Sequence, residues 1–452
     1  MGGVEQKWRG LSRWNSPLVQ VVMIGFICFC CPAMFNVLTG LGGGGQRIPK
    51  VANNSLTALY ATFAIFGLLG GEAYNLLGPR RCIFLGCSFY MLYVGSFLSY
   101  NHNEGFVVAA GALLGIGAGL LWAGQGAMLM SYPPAESKGR YISLFWVIFN
   151  LGGVLGGFIP FSLNYNDKAG SVNSGTYIAF MGIMFMGALI SLTLSSPDNV
   201  IRDDGNKVST VHYSNVFLEG CEILKLFRNK KLLLLAPAFI ASNFYYTYEF
   251  NNINGMLFNV RTRGLNNVFY WGVQMLGSVV MGYILDHSST KRRSRGLMGL
   301  GVMVALTMLG WGVALANQLR YSRQSRPELL DFKDSNLAYA GPLTLYILLG
   351  LLDSMYQTLF YWILGMLTCE TATLSRFSGF YKALQSAGAA ISWQIDEIKA
   401  PLLFELLITW ILLMLGLALA TIVVWKGEDV QEGKVEDGHE NYSNKGDEEC
   451  PS

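Results

Sequence analysis

Asp353 stands in the middle of "LLGLLDSMYQTLFYW", an otherwise apolar stretch, and Gln357 follows four residues later, on the same face if the stretch is helical. An ionisable residue at membrane depth costs at least ~2.5–3.5 kcal/mol on insertion scales, so it is kept where it faces a cavity or a partner. Lys382 repeats the theme in a later apolar stretch, with Gln385 three residues on. Two readings of Lys382 stay open: a side chain snorkelling to the nearby helix end, or a pair with Asp353 that switches as the molecule moves. A third group is "NFYYTYEFNNING", residues 243–255, which sets Glu249, Asn251, Asn252 and Asn254 among three tyrosines. Such oxygens suit a hard cation or a polar solute; an interfacial aromatic belt with a hydrated helix end is the structural alternative. Asn36, Trp122, Gln125, Asn150 and Gln274 are further polar or amphipathic residues in apolar surroundings. Amides crossing between helices are worth about 0.6 kcal/mol each as glue. Asp353, Gln357, Lys382, Gln385, Glu249, Asn252, Gln125, Asn150 and Asn36 form the expected cavity set.

These residues matter only if the stretches around them cross a bilayer, and the composition says that they do. Of 452 residues, 52% are hydrophobic and 13% charged, against about 25% charged in soluble domains. Apolar stretches long enough for a hydrocarbon core about 30 Å thick recur throughout. We read about twelve spans, among them span one near 18–39, span seven near 232–254, span eight near 266–285, span ten near 338–367 and span eleven near 377–395. The longest polar break, 196–231, divides a six-span half at 18–195 from another at 232–425; residues 1–17 and an acidic tail at 426–452, expected to be disordered, flank them. The fold class is therefore all-α, membrane-embedded, with the lipid bilayer as solvent. The cysteines sit mainly in apolar stretches, which argues against a disulfide framework.

With both termini on one side, that side receives 21 of the 32 Lys and Arg residues and the other side 10, leaving Lys382 within a span. The bias predicts cytoplasmic termini; the plasma membrane is the default location, with vacuolar and endosomal membranes as the alternatives. Residues 34–46, "MFNVLTGLGGGGQ", then fall at the exterior end of span one. Gln46 and Arg47 follow the four glycines where a phosphate-binding loop needs lysine and a hydroxyl. The run reads instead as a turn or an exterior gate. Asn53 heads an N-N-S sequon on the same side and is a candidate glycosylation site.

The halves share one motif. "GEAYNLLGPRR" follows span two and "GYILDHSSTKRR" follows span eight; Gly71 and Gly282, Asn75 and Asp286, Arg80 and Lys291, and Arg81 and Arg292 correspond. A glycine, an acid or amide four later and then paired basic residues resemble the signature loop of the major facilitator superfamily, with Asn75 departing from the usual acid. "CPAMFNVLTGLGGGGQ", "GLLWAGQGAMLMSYPPAESKGRYISLFWVIFNLGGVLGG" and "FNNINGMLFNVRTRGLNNVFYWGVQMLGS" resemble the uncoordinated-93 (UNC-93-like) branch, particularly its plant and fungal members. That resemblance implies a twelve-helix facilitator fold in two pseudo-symmetric halves, with these loops steadying one of two rocking states. It leaves activity open, because the family is linked to potassium-channel regulation and receptor trafficking as well as to transport.

No Walker loop or H-E-x-x-H occurs, and the four histidines (His102, His212, His287, His439) fall in expected loops. We expect no enzyme chemistry, cofactor, metal centre or nucleic-acid partner. Two functions remain: alternating-access transport of a small polar solute or cation, or a non-transporting partner of an ion channel tied to potassium homeostasis.

Overall fold

Residues 14–46, 48–133, 138–166, 171–201, 224–285, 291–334, 336–368 and 371–426 are described by a computed structural model. Twelve α-helices order as α1 (Pro17–Cys30), α2 (Pro32–Gly40), α3 (Lys50–Ser96), α4 (Glu104–Ser131), α5 (Lys138–Leu163), α6 (Ser174–Ser191), α7 (Lys230–Phe244), α8 (Val260–Leu285), α9 (Arg292–Gln318), α10 (Asn336–Leu367), α11 (Thr371–Glu397) and α12 (Leu402–Lys426). Among the described residues, ten segments are long and apolar enough to cross a membrane by themselves. Pro32 lacks an amide proton and separates α1 from α2, which together make span one. Spans two and three, Lys50–Gly70 and Leu76–Ser99, both fall within α3, and the helix is broken near their junction, where Gly78 takes φ 74° ahead of Pro79. The signature motif thus carries a sharp reversal of the chain rather than a long loop. Large apolar side chains such as Ile178, Ile411 and Trp425 face outward, as lipid-facing positions require.

Span seven departs from a plain helix. After α7 the chain forms a π-helical turn, Tyr248–Gly255, that turns Glu249, Asn251, Asn252 and Asn254 inward, all buried. A π turn carries an extra residue per turn and redirects the side chains around it. Span eight begins at Val260, six residues before the expected 266. The correction moves Arg261 and Arg263 out of an exterior loop and into a buried first turn.

Glycine lets the two halves meet. On α5, a Cβ at Gly153 would lie 2.8 Å from the Trp271 ring, and one at Gly157 3.0 Å from the Val268 amide nitrogen, both on α8. Close backbone approach of this kind drives helix association in lipid, where apolar burial alone gives no preference for a neighbour.

Candidate functional site

Between the halves lies a cavity of about 940 Å³. It runs from Asn36 and Tyr246 at mid-depth to Ser131, Pro197, Gly282 and Arg376 at the end of the bundle that carries the termini. A Cβ added at Gly126 or Gly282 on its wall would meet nothing within 4 Å. Six expected residues line it: Asn36, Gln125 and Asn150 from the first half, and Gln357, Lys382 and Gln385 from the second. Trp122 and Gln274 line it as well.

Asp353 sits just behind this wall, 2% exposed. Tyr245 donates to its Oδ1 at 2.5 Å and Gln357 to the same oxygen at 2.6 Å, while Tyr246 and Gln274 donate to Oδ2, each at 2.9 Å. Tyr270 lies 3.4 Å from Oδ2 and donates at 2.7 Å to Glu249. Three of these donors, Tyr246, Gln274 and Gln357, themselves border the cavity. A buried carboxylate with this many donors is locked in place, and it fixes how α7, α8 and α10 stand around the lumen.

The Lys382–Asp353 pair, one of the two readings of Lys382, does not form. The Lys382 ammonium instead donates to Gln385 Oε1 at 2.8 Å and sits over Trp122, Tyr361 and Tyr381, 5.6–5.7 Å from each ring centre. Gln385 donates to Gln357 Oε1 at 3.4 Å, so two amides bridge lysine and aspartate. The snorkelling alternative fails too, because the side chain lines the cavity rather than reaching for the helix end.

Asn252 lies outside the cavity, and with Glu249 it supplies no open cation site. Glu249 Oε2 accepts from Tyr270, and Asn252 Nδ2 donates at 2.6 Å to Glu405 Oε2, while Asn252 Oδ1 is buried away from the cavity without a hydrogen-bond partner. Among the described residues no cluster of His, Cys, Asp and Glu suits a metal.

The end opposite the termini is sealed by polar contacts between halves. Asn251 Oδ1 accepts from the Gly43 amide at 2.7 Å, and Asn251 Nδ2 donates to Asn53 Oδ1 at 2.9 Å and to Asp396 Oδ2 at 2.7 Å. Asn53 Nδ2 donates to Asp396 Oδ2 at 2.6 Å. Arg323 holds Asp396 (2.5 Å) and Glu405 together. A second contact joins Arg261, paired with Asp331, to the Tyr165 carbonyl at 3.0 Å. The glycine run serves this seal: Gly42 has φ 78°, and a Cβ there would lie 2.5 Å from the Phe250 carbonyl oxygen. Asn53 is 1% exposed with its amide nitrogen engaged, so the glycosylation reading gives way to a role in this latch. Sequence reasoning missed Asp396, Glu405, Arg323, Arg261 and Asp331. Their one available signal was charge at or near span ends, a pattern shared with solvated loops.

Of the paired signature positions, Arg80 donates to the Leu194 carbonyl and Arg292 to the Gly365 carbonyl, while Arg81 and Lys291 are exposed. Gly71 and Asn75 fall in α3, but their surroundings, like all of Asp286, lie outside the described residues.

A family model described as "Ion channel regulatory protein UNC-93" matches residues 49–424. The chain belongs to the UNC-93 family. UNC93-like protein 1 of Arabidopsis thaliana is 54% identical over 93% of this chain and 92% of its own length. A Schizosaccharomyces pombe UNC93-like protein is 40% identical over 94% of this chain and 85% of its own. Among solved structures, the xylose transporter XylE from E. coli, in a partially occluded inward-open conformation, superposes with a TM-score of 0.62 at 15% identity, covering 93% and 99% of the two chains. A D-xylose-proton symporter superposes at 0.58 with 12% identity, covering 92% and 98%. This UNC-93 chain therefore has the major facilitator fold, twelve spans in two pseudo-symmetric halves, and is an integral multi-pass membrane protein. Its family and fold are those of transporters and regulatory membrane proteins, not of enzymes.

Proposed function

We propose that this UNC-93 protein carries a small polar solute across the bilayer by alternating access. The observation that carries the reading is the 940 Å³ cavity, lined by polar groups of both halves and running to one end of the bundle. The other end is shut by the hydrogen bonds of Gly43, Asn53, Asn251 and Asp396. The buried set around Asp353 holds the cavity-lining amides of the second half in register. In the opposite state the latch parts and the cavity faces the other way. The paired basic residues, Arg80 and Arg81 with Lys291 and Arg292, and the glycines and acid or amide that precede them (Gly71, Asn75, Gly282, Asp286) steady the state seen here. The excess of basic residues at the terminus-bearing end supports a cytosolic position for that end, and the plasma membrane is the location we propose.

A Gln125→Cys variant of the full chain, in sealed proteoliposomes, tests this. A membrane-impermeant thiol reagent should label it from the terminus-bearing side at rest, and from the far side as well while the chain takes up solute from a broad panel. Labelling from one side under every condition, with no uptake from that panel, would overturn the proposal. The family description supports a second reading, in which the same fold docks against an ion channel and alters potassium current. That reading predicts co-purification with a channel, and regulation that survives Gln125→Ala and Lys382→Gln.

A further inference from the structure

We infer that the solute of the central cavity is an organic monoanion with a flat apolar body, and that Lys382 supplies its counter-charge. This names the substrate class of the site proposed above and rests on that reading for its transport. The first argument is the sign of the lining. Among the described residues, the charged side chains on the cavity wall are Lys382 and Arg376, both cationic. The nearby carboxylates, Asp353 and Glu249, lie behind the wall and accept from protein donors.

The second argument is the state of the ammonium. Among the described residues Lys382 makes one hydrogen bond, to the neutral amide oxygen of Gln385, and it rests among the Trp122, Tyr361 and Tyr381 rings. Two side-chain amides separate it from Asp353, and among the described residues no carboxylate stands within ion-pair distance of it. An ammonium has three donors, so it has capacity for a ligand oxygen. While the cavity stays open to water, solvent stabilises the charge. Once the cavity closes around its cargo that water is largely lost, and an unpaired buried charge becomes strongly unfavourable. An anionic cargo removes that penalty. A neutral cargo leaves it standing, and a cationic cargo adds repulsion to it.

The third argument is the shape and polarity of the remaining wall. Trp122 and Phe149 pack edge to face at 5.7 Å and Trp146 and Phe149 at 5.6 Å, with Trp271 and Tyr246 on the opposite half. Indole and phenyl walls around one cationic corner suit an aromatic body with one charged end.

Binding of radiolabelled 1-naphthoate to the purified full chain in nanodiscs tests the inference. Its isosteres 1-naphthylmethanol and 1-naphthylmethylammonium serve as neutral and cationic competitors. We expect saturable naphthoate binding, weak competition by the neutral isostere, and none by the cation. Lys382→Gln should weaken binding by about tenfold or more, whereas Lys382→Arg keeps the charge and should stay within a few-fold of wild type. Apparent melting temperature and monodispersity verify that each variant is folded. Absence of saturable binding up to millimolar naphthoate, preference for the cationic isostere, or a folded Lys382→Gln variant that binds as well as wild type would each overturn the anion assignment. A chain that imports a cation or a neutral solute yet ignores naphthoate leaves the carrier reading intact and sinks this one. A chain that binds naphthoate through Lys382 but moves nothing across the bilayer does the reverse.

Discussion

Removing the Asp353 carboxylate should cost stability in proportion to the donors it satisfies. Four side chains donate to it within 2.5–2.9 Å. In Asp353→Ala they fare differently. Tyr246, Gln274 and Gln357 border the cavity and can turn to water, so each loses only a net bond, about 0.5–1.5 kcal/mol. Tyr245 is 3% exposed and does not border that cavity, and its orphaned hydroxyl adds about 1–3 kcal/mol. Partial relaxation brings the total to about 3–5 kcal/mol, or an apparent melting temperature lower by on the order of 5 °C for a chain of this size. Asparagine is no rescue. Whichever way its amide is turned, its NH2 group meets a glutamine NH2, that of Gln357 on the Oδ1 side or of Gln274 on the Oδ2 side. Asp353→Asn should therefore also lose stability, by about 1–3 kcal/mol. The assay is intrinsic-fluorescence melting of the full chain in one detergent at one scan rate, since membrane-protein unfolding is commonly irreversible. If Asp353→Ala melts within about 1 °C of wild type, Asp353 is not the buried hub described here and the reasoning fails.

Asn251→Ala removes three inter-residue bonds from the far-end latch, one to the Asp396 carboxylate at about 1.5–3 kcal/mol and two between neutral groups at about 0.5–1.5 kcal/mol each; far-side labelling of a cavity cysteine at rest should rise by roughly tenfold or more, and unchanged labelling would dismiss the latch. Gly42→Ala places a methyl group 2.5 Å from the Phe250 carbonyl oxygen at φ 78°, so it should loosen the same seal, with a cost on the order of 1–3 kcal/mol from backbone strain; it too is read by far-side labelling. Burial by itself would raise the Asp331 pKa, but hydrogen bonds from Arg261, the Lys333 amide and Asn259 outweigh it and hold the carboxylate below its ordinary range. Because the folded-state value is depressed, the stabilisation is present above the unfolded value of about 3.9 and is lost as pH falls through the folded one. The stability gap between wild type and Asp331→Asn should therefore be flat from neutral pH down to about pH 5 and shrink below about pH 4. A gap that widens on acidification would contradict the sign.

What this sequence determined by itself was the solvent it folds in and the order of its spans. Apolar length and charge scarcity are one-dimensional properties, because a helix in lipid must satisfy its own backbone and so declares itself locally. The duplicated "GEAYNLLGPRR" and "GYILDHSSTKRR" motifs and the 196–231 break likewise gave two halves. Helical spacing also put Gln357 beside Asp353 and Gln385 beside Lys382, and both pairs do bond. Tertiary structure alone decided which polar residues share a space. Asp353 and Lys382 were each legible as costly charges, but whether they touch depends on how α10 and α11 are rotated, and two amides stand between them. Asn53 read as a surface sequon because a tripeptide carries no sign of burial; Asp396, 343 residues away, is what buries it. The four glycines read as a turn or an exterior gate without any sign of what they meet, since their partner Asn251 comes from a π turn in the other half. Hydropathy is summed along a chain, whereas a gate or a binding pocket is made by side chains that meet across it.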